Sequence, residues 1–313
     1  MLTQSIVFIF GLVLLITGAG WLVRGSSNFA GAMGIKPVVI ALTFIAFGTS
    51  APEAAVSIVA VIKGAADIAL GDVIGSNIAN IGLVLGLTAL VSPLKIERRI
   101  LRRELPIMIG AAFLLYLMAL DLKINFFDGL ILLIGLILFV GFLFFRPALA
   151  SEIEESARPI LDRKNNKLKS IFLGLAGLVI LLSGAYLMVY SGTFIAGALG
   201  IKQWVIALTV FAVGTSLPEL ATSVVSAFRG KEDIAVGNII GSNILNILFV
   251  IGITGMIGSL AIDVRALRFT FPVMLAFSVA LVPLIKRGFV INRLEGAALV
   301  LGYFTFLFFL VRG

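Results

Sequence analysis

No cysteine and no histidine occur among the 313 residues of this sequence. Their absence excludes a disulfide framework, a thiolate or imidazole metal site and a proton relay through histidine. It also excludes the zinc-dependent and rhomboid-type intramembrane proteases, whose chemistry requires such residues.

Charged residues are scarce as well. They make up 13% of the sequence, against about 25% in an ordinary soluble domain, whereas hydrophobic residues make up 60% and the mean hydropathy is +1.17. Apolar stretches near twenty residues are long enough to cross about 30 Å of hydrocarbon. Ten such stretches, numbered as spans 1 to 10, are predicted to be transmembrane helices, at residues 5–23, 38–62, 67–91, 105–120, 128–145, 170–189, 204–228, 233–258, 269–285 and 295–312.

The basic residues are distributed unequally along the loops between these spans. If the N-terminus lies outside, 18 of the 24 lysines and arginines fall on the cytoplasmic side and six fall outside. Since cytoplasmic loops are enriched in lysine and arginine, we expect a multi-pass protein of the plasma membrane with both termini outside. The net charge of +8 then reflects orientation in the lipid bilayer, and nucleic acid is not expected as a partner.

The chain repeats itself after a shift of 166 residues. Over 34–57 against 200–223, 16 of 24 positions are identical, and over 67–87 against 233–253, 13 of 21 are identical. The identities include Gly, Ser, Thr, Asn, Pro and Glu at constant spacing, which shared lipid-facing Leu and Val cannot explain.

Each copy holds five predicted spans. Because five is odd, the second copy enters the membrane from the opposite side, which is the inverted-repeat architecture of many secondary transporters. We therefore predict an all-α polytopic membrane protein with a first repeat at 1–145 (motifs at 34–91), a short cytosolic linker at 146–169 and a second repeat at 170–313 (motifs at 200–258).

Spans 2 and 7 each contain a helix-breaking motif with a glutamate. The first is Gly48-Thr49-Ser50-Ala51-Pro52-Glu53 and the second is Gly214-Thr215-Ser216-Leu217-Pro218-Glu219. Glycine weakens a helix and proline removes a backbone donor, so we expect broken helices near the midplane. Such a break is tolerated in hydrocarbon only where the freed carbonyls meet protein or line a cavity, and the carbonyls expected to be exposed are those of Ala46, Thr49, Ala212 and Thr215.

The two glutamates need partners inside the membrane. A charged side chain at the centre of a helix costs about 2.5–3.5 kcal/mol on insertion scales. No lysine or arginine lies within the interior of spans 2, 3, 7 or 8, so these helices offer no cation for a structural salt bridge. Either both glutamates stay protonated and hydrogen-bonded, or their partner is a dissolved cation; we interpret them as ligands of a cation.

Spans 3 and 8 add further oxygen donors. Gly75-Ser76-Asn77-Ile78-Ala79-Asn80 is paired with Gly241-Ser242-Asn243-Ile244-Leu245-Asn246. Ser76 and Asn80 share one helix face, as do Ser242 and Asn246, whereas Asn77 and Asn243 point elsewhere and are expected to cap or cross-link helices. Carboxylate, amide, hydroxyl and carbonyl oxygens suit Ca²⁺ and Na⁺ rather than zinc or copper.

With these motifs the chain resembles the sodium/calcium exchanger family of the cation/calcium antiporter superfamily, and it looks most like compact prokaryotic members. The pattern G-T-S-x-P-E followed by G-x-x-x-G-S-N-x-x-N, present twice, matches the two alpha repeats of that family. The resemblance implies Ca²⁺ binding by Glu53, Glu219 and the carbonyls of Thr49 and Thr215. It implies Na⁺ binding by Ala46, Ser50, Glu53, Ser76, Asn80, Ala212, Ser216, Glu219, Ser242 and Asn246.

The resemblance also carries expectations about coupling. Members with Asp at the position of Asn246 include potassium-dependent exchangers, so Asn246 argues against potassium dependence. Asp72 replaces an asparagine that the second copy keeps as Asn238, and no role is assigned to it. Spans 1 and 6 are expected to slide as a gating pair across the rest of the helices.

We therefore expect an antiporter that exchanges Ca²⁺ for Na⁺ by alternating access, with no cofactor and no enzymatic activity, working as a monomer. The nearest rival is an H⁺/Ca²⁺ exchanger of the same fold, although that sister family usually carries G-N-x-x-E in place of G-T-S-x-P-E. A membrane-embedded phosphatase or protease is a rival of another class, but the sequence lacks a nucleophile with its base. A passive cation channel is a third possibility, and it would need no counter-ion.

Overall fold

A computed structural model describes residues 2–33, 37–64, 66–144, 167–198 and 212–312. The predicted linker at 146–169 lies outside the described residues except for its last three positions, which begin a helix. Positions 34–36 of the first repeat motif and 200–211 of the second also lie outside them.

The described residues are mainly helical. The α-helices are Leu2–Met33, Pro37–Ile40, Ala46–Thr49, Ala51–Ile62, Ala66–Ala79, Gly86–Val91, Arg98–Arg102, Glu104–Met118, Phe126–Phe144, Lys167–Ala198, Ala212–Thr215, Leu217–Phe228, Glu232–Leu245, Gly252–Ile257, Phe271–Lys286 and Arg293–Arg312. Wider π-helical turns at Ala41–Ile45, Asn80–Leu85, Asn246–Ile251 and Ala266–Thr270 connect several of them, and Ala119–Asp121 is a 3₁₀ turn.

Within the described ranges, eight helices are long and apolar enough to cross a membrane, and the bent pair Pro37–Thr49 and Ala51–Ile62 adds one more. The prediction of an all-α polytopic membrane protein is confirmed. Predicted span 7 begins outside the described residues, and its described part ends in the apolar helix Leu217–Phe228. The count of ten spans therefore stays a prediction.

The first and sixth spans are longer than predicted. Their helices run over Leu2–Met33 and Lys167–Ala198, 32 residues each, or about 48 Å at 1.5 Å per residue. The prediction ended span 1 at residue 23. The helix continues because its far end still packs on span 6, where a Cβ on Gly25 would overlap the backbone nitrogen of Gly174.

Spans 1 and 6 run antiparallel along a seam of glycines. Gly11 lies against Gly184, Gly18 against Gly177 and Gly25 against Gly174. Residue numbers therefore increase along span 1 in the direction in which they decrease along span 6. Small residues let transmembrane backbones approach this closely. Span 6 is the counterpart of span 1 after the 166-residue shift, so the two equivalent helices point in opposite directions, as an inverted repeat requires.

Two short β-ladders tie the repeats together at their loops. Leu94–Lys95 pairs antiparallel with Val290–Ile291, and Lys123–Ile124 pairs antiparallel with Leu260–Ala261. Each ladder joins a loop of the first repeat to a loop of the second. Both loops of the first ladder belong to the side predicted to be cytoplasmic, and both loops of the second ladder belong to the opposite side.

Candidate cation-binding site

Helix breaks lie at equivalent positions in the two repeats. Ser50 leaves the helical conformation with φ −84° and ψ 4°, and Ser216 does so with φ −87° and ψ 4°. Pro52 and Pro218 fall in the first turn of the half-helix that follows, where a missing backbone N–H is tolerated. In the first repeat the two half-helices are bent by 45°. The Gly48–Pro52 and Gly214–Pro218 segments therefore interrupt the helices, as the motif pattern predicts.

Glu53 and Glu219 lie in the first turn after these breaks and are both 0% exposed. Ser50 donates a hydrogen bond to Oε1 of Glu219 at 3.1 Å, and Ser242 donates to the same oxygen at 3.4 Å. Within the described ranges, Oε2 of Glu219 and both carboxyl oxygens of Glu53 have no hydrogen-bond partner.

Further buried oxygens on the packed helices are also unpartnered within the part of the chain that the structure describes. They include the hydroxyls of Ser76 and Ser216 and the side-chain carbonyls of Asn80 and Asn246. The half-helices bearing the glutamates pack against the helices bearing these asparagines. A buried polar atom without a partner costs about 1–3 kcal/mol, so a set of them points to an absent ligand. All these candidate ligand atoms are hard oxygens, the type of ligand that Na⁺ and Ca²⁺ prefer.

Asn243 holds the two repeats together beside these ligands. Asn80 Nδ2 donates to Asn243 Oδ1 at 3.1 Å, and Asn243 Nδ2 donates to the carbonyl of Asn77 at 3.5 Å. This agrees with the prediction for Asn243, whereas Asn77 takes part in the link through its main-chain carbonyl and its side-chain nitrogen approaches Met274 Sδ at 3.8 Å. The bond also fixes Asn80, whose nitrogen is engaged while its oxygen has no partner among the described residues.

Asn238 also lies at the site, and no role was predicted for it. Its Oδ1 accepts from the Thr49 hydroxyl at 3.2 Å, and its Nδ2 donates to the carbonyl of Glu219 at 3.5 Å and to Ser223 Oγ at 3.2 Å. It thus joins the broken helix of one repeat to the glutamate of the other. Its signal in the sequence is the four-residue spacing that places Asn238 on one face with Ser242 and Asn246.

The remaining predicted positions lie in the same segments. Ala46 is buried and begins the last turn before the first break, and Ala212 begins the equivalent short helix, Ala212–Thr215, which ends at Thr215. Thr49 is fully buried, and its hydroxyl approaches the Ala46 carbonyl at 3.3 Å.

The site contains two fully buried carboxyl groups, those of Glu53 and Glu219. Among the described residues, the buried ion pair is Arg99–Glu104 at 3.0 Å, and neither Glu53 nor Glu219 is paired with a lysine or arginine. Because these buried carboxyl groups have no basic side chain as a partner among the described residues, a bound cation is the partner that we expect.

Comparison with known proteins gives a consistent result. The chain matches the family described as sodium/calcium exchanger protein over residues 3–145 and 169–312. It is 37% identical to the putative antiporter CaxA of Alkalimonas amylolytica, with 99% of each chain covered. It is 35% identical to the sodium/calcium exchanger MaX1 of Methanosarcina acetivorans, covering 96% of this chain and 97% of that one. The solved structure of the sodium-calcium exchanger NCX_Mj, soaked with Na⁺ and Ca²⁺, superimposes with a TM-score of 0.83 at 31% identity over 97% of each chain.

Proposed function

Because this chain belongs to the sodium/calcium exchanger family, we propose that it is a secondary antiporter that exchanges Ca²⁺ for Na⁺ across the plasma membrane by alternating access. The observation that carries the proposal is the set of buried, unpartnered oxygens around Glu53 and Glu219, contributed by both repeats. These oxygens offer the coordination that Ca²⁺ and Na⁺ require.

The ligands have the following proposed roles. Glu53 and Glu219 bind Ca²⁺ together with the main-chain carbonyls of Thr49 and Thr215. The two glutamates also contact Na⁺, and the further Na⁺ ligands are Ala46, Ser50, Ser76, Asn80, Ala212, Ser216, Ser242 and Asn246.

Obligatory exchange follows from the charge of the two glutamates. An empty site with two ionised carboxylates is costly to seal away from water, because a buried charge without a partner is expensive. One Ca²⁺ or several Na⁺ neutralise it. The loaded carrier is therefore expected to cross between its two open states far more readily than the empty one, and the two cations compete because they share ligands.

Sliding of spans 1 and 6 is the movement we propose for alternating access. The contact between them is a seam of glycines at which the two backbones approach closely, and span 1 also packs against the half-helix that carries Glu219. Such a seam permits translation of one helix pair while the ligand-bearing helices keep their hydrogen bonds, among them Asn80–Asn243.

An H⁺/Ca²⁺ exchanger is the second candidate, since Glu53 and Glu219 also could carry protons. Calcium uptake into proteoliposomes distinguishes Na⁺/Ca²⁺ exchange from H⁺/Ca²⁺ exchange. Vesicles loaded with Na⁺ and diluted into Na⁺-free medium with ⁴⁵Ca²⁺ at equal internal and external pH should accumulate calcium. Vesicles loaded with choline and given only a pH gradient should not. The opposite pattern assigns the counter-ion to H⁺.

A further inference from the structure

Asp72 is a point at which the two repeats differ in charge. The 166-residue shift places Asp72 on Asn238 and Ser57 on Ser223. Both pairs are in contact, because Ser57 donates to Oδ2 of Asp72 at 3.3 Å and Asn238 donates to Ser223 Oγ at 3.2 Å. The same contact therefore contains a carboxylate in the first repeat and an amide in the second.

Asn238 and Asp72 differ in the hydrogen bonds that they can make. Asn238 is 0% exposed and uses its nitrogen and its oxygen to connect Glu219 with Thr49. An ionised aspartate has no hydrogen to donate, so Asp72 cannot make the equivalent bond to the carbonyl of Glu53. Asp72 is also partly exposed. It is therefore not the internal cross-link that its counterpart is.

Asp72 lies on the path between the ligands and one loop. Asp72, Ser76 and Asn80 are spaced by four and share a face of span 3, so Asp72 is one turn, about 5.4 Å, from Ser76. Ser57 is likewise one turn beyond Glu53. The Asp72–Ser57 pair thus lies between the ligands and the Lys63–Gly64 turn. Both carboxyl oxygens of Glu53 are unpartnered among the described residues.

We infer that Asp72 makes the two mouths of the site unequal. Asp72 attracts Na⁺ or Ca²⁺ towards Glu53 from the side of the Lys63–Gly64 turn, whereas the equivalent position of the second repeat holds the uncharged Asn238. The inference rests on the proposed function. A unit charge roughly one or two turns from a divalent cation in a water-filled mouth changes its binding by about fivefold.

The test measures each face of the membrane separately. Right-side-out and inside-out membrane vesicles are loaded with Na⁺, and the half-saturating Ca²⁺ concentration for ⁴⁵Ca²⁺ uptake is determined in each. Because the chain has no cysteine, a Lys63→Cys variant labelled with a membrane-impermeant maleimide identifies the face that carries the turn. Asp72→Asn should raise the half-saturating Ca²⁺ concentration about fivefold at that face and less than twofold at the opposite one.

Asn238→Asp is the matched variant. It removes the amide bonds to Glu219 and Ser223 at the same time as it adds a charge, so the ratio between the two faces is compared, and the half-saturating Ca²⁺ concentration should fall at the opposite face relative to the face of the Lys63–Gly64 turn. Asp72→Asn introduces the residue that the second repeat already uses, so its result decides the question even if Asn238→Asp does not fold. An unchanged ratio between the two faces in an Asp72→Asn protein that still exchanges would overturn the inference. Absence of Na⁺-dependent uptake by the unaltered protein would instead overturn the proposed function.

Discussion

Ser50 donates its hydroxyl hydrogen to Oε1 of Glu219 at 3.1 Å, although the two residues are 169 positions apart and belong to different repeats. The helix break in the first repeat thus places the Ser50 hydroxyl beside the carboxylate of the second. The two halves of the chain therefore build one site, and neither half offers the complete set of oxygens.

Replacing Ser50 by Ala removes this donor and one proposed Na⁺ ligand. Hydrogen bonds to charged groups are worth about 1.5–3 kcal/mol, so we expect the half-saturating Na⁺ concentration that drives Ca²⁺ uptake to rise about tenfold or more. Thr305→Ala is the control, since the exposed hydroxyl of Thr305 bonds to the carbonyl of Leu301 in its own helix. Equal Na⁺ dependence in the two variants would contradict the proposed role of Ser50.

Pro52→Ala should make the protein a weaker exchanger. The new backbone N–H can bond to the carbonyl of Gly48 and continue the helix through the break, which reduces the 45° bend. We expect at least a tenfold loss of Ca²⁺ uptake. Pro283→Ala provides the comparison, because Pro283 is an exposed proline inside a helix away from the ligands. Its transport rate should be unchanged.

Gly18→Ala should separate spans 1 and 6. A Cβ on Gly18 would overlap the backbone of Leu181, and rigid backbone cannot yield. We predict a lower melting temperature and a reduced maximal rate of exchange, with Ca²⁺ affinity retained in direct binding because the ligands lie on different helices. Gly110→Ala, where the described residues leave open space around the added carbon, should behave as the unaltered protein does. A fully active Gly18→Ala protein would exclude close packing of these two helices during transport.

Sequence patterns predicted the features that depend on short motifs present in both repeats. The proline and glycine motifs indicated the breaks at Ser50 and Ser216, and the four-residue spacing placed Ser242 on the face that contacts Glu219. Asn243 was expected to cross-link helices, and it does so through Asn80.

Some features depend on partners that sequence periodicity does not reveal. The bond between Thr49 and Asn238 forms between residues 189 positions apart, so no local pattern indicates it. The π-helical turns at Asn80–Leu85 and Asn246–Ile251 follow from tertiary packing, since their sequences read as ordinary helix. The extent of span 1 beyond residue 23 is likewise decided by its packing on span 6.

Glu53 and Glu219 carry the central claim, and calcium flux through their amide variants tests it most directly. Glu53→Gln and Glu219→Gln keep the shape of each side chain and remove its charge. Na⁺-loaded proteoliposomes containing either variant should take up ⁴⁵Ca²⁺ at least about a hundredfold more slowly than those with the unaltered protein, because a buried carboxylate bound to a divalent cation contributes several kcal/mol.

Asp121→Asn is the matched carboxylate-to-amide control. Asp121 is exposed at the end of span 4, where it accepts a hydrogen bond from the backbone of Lys123. Uptake by this variant should equal that of the unaltered protein. Loss of uptake in both glutamate variants, with the control intact, is the result that the two-repeat site predicts; full Na⁺-driven uptake by either glutamate variant would contradict it.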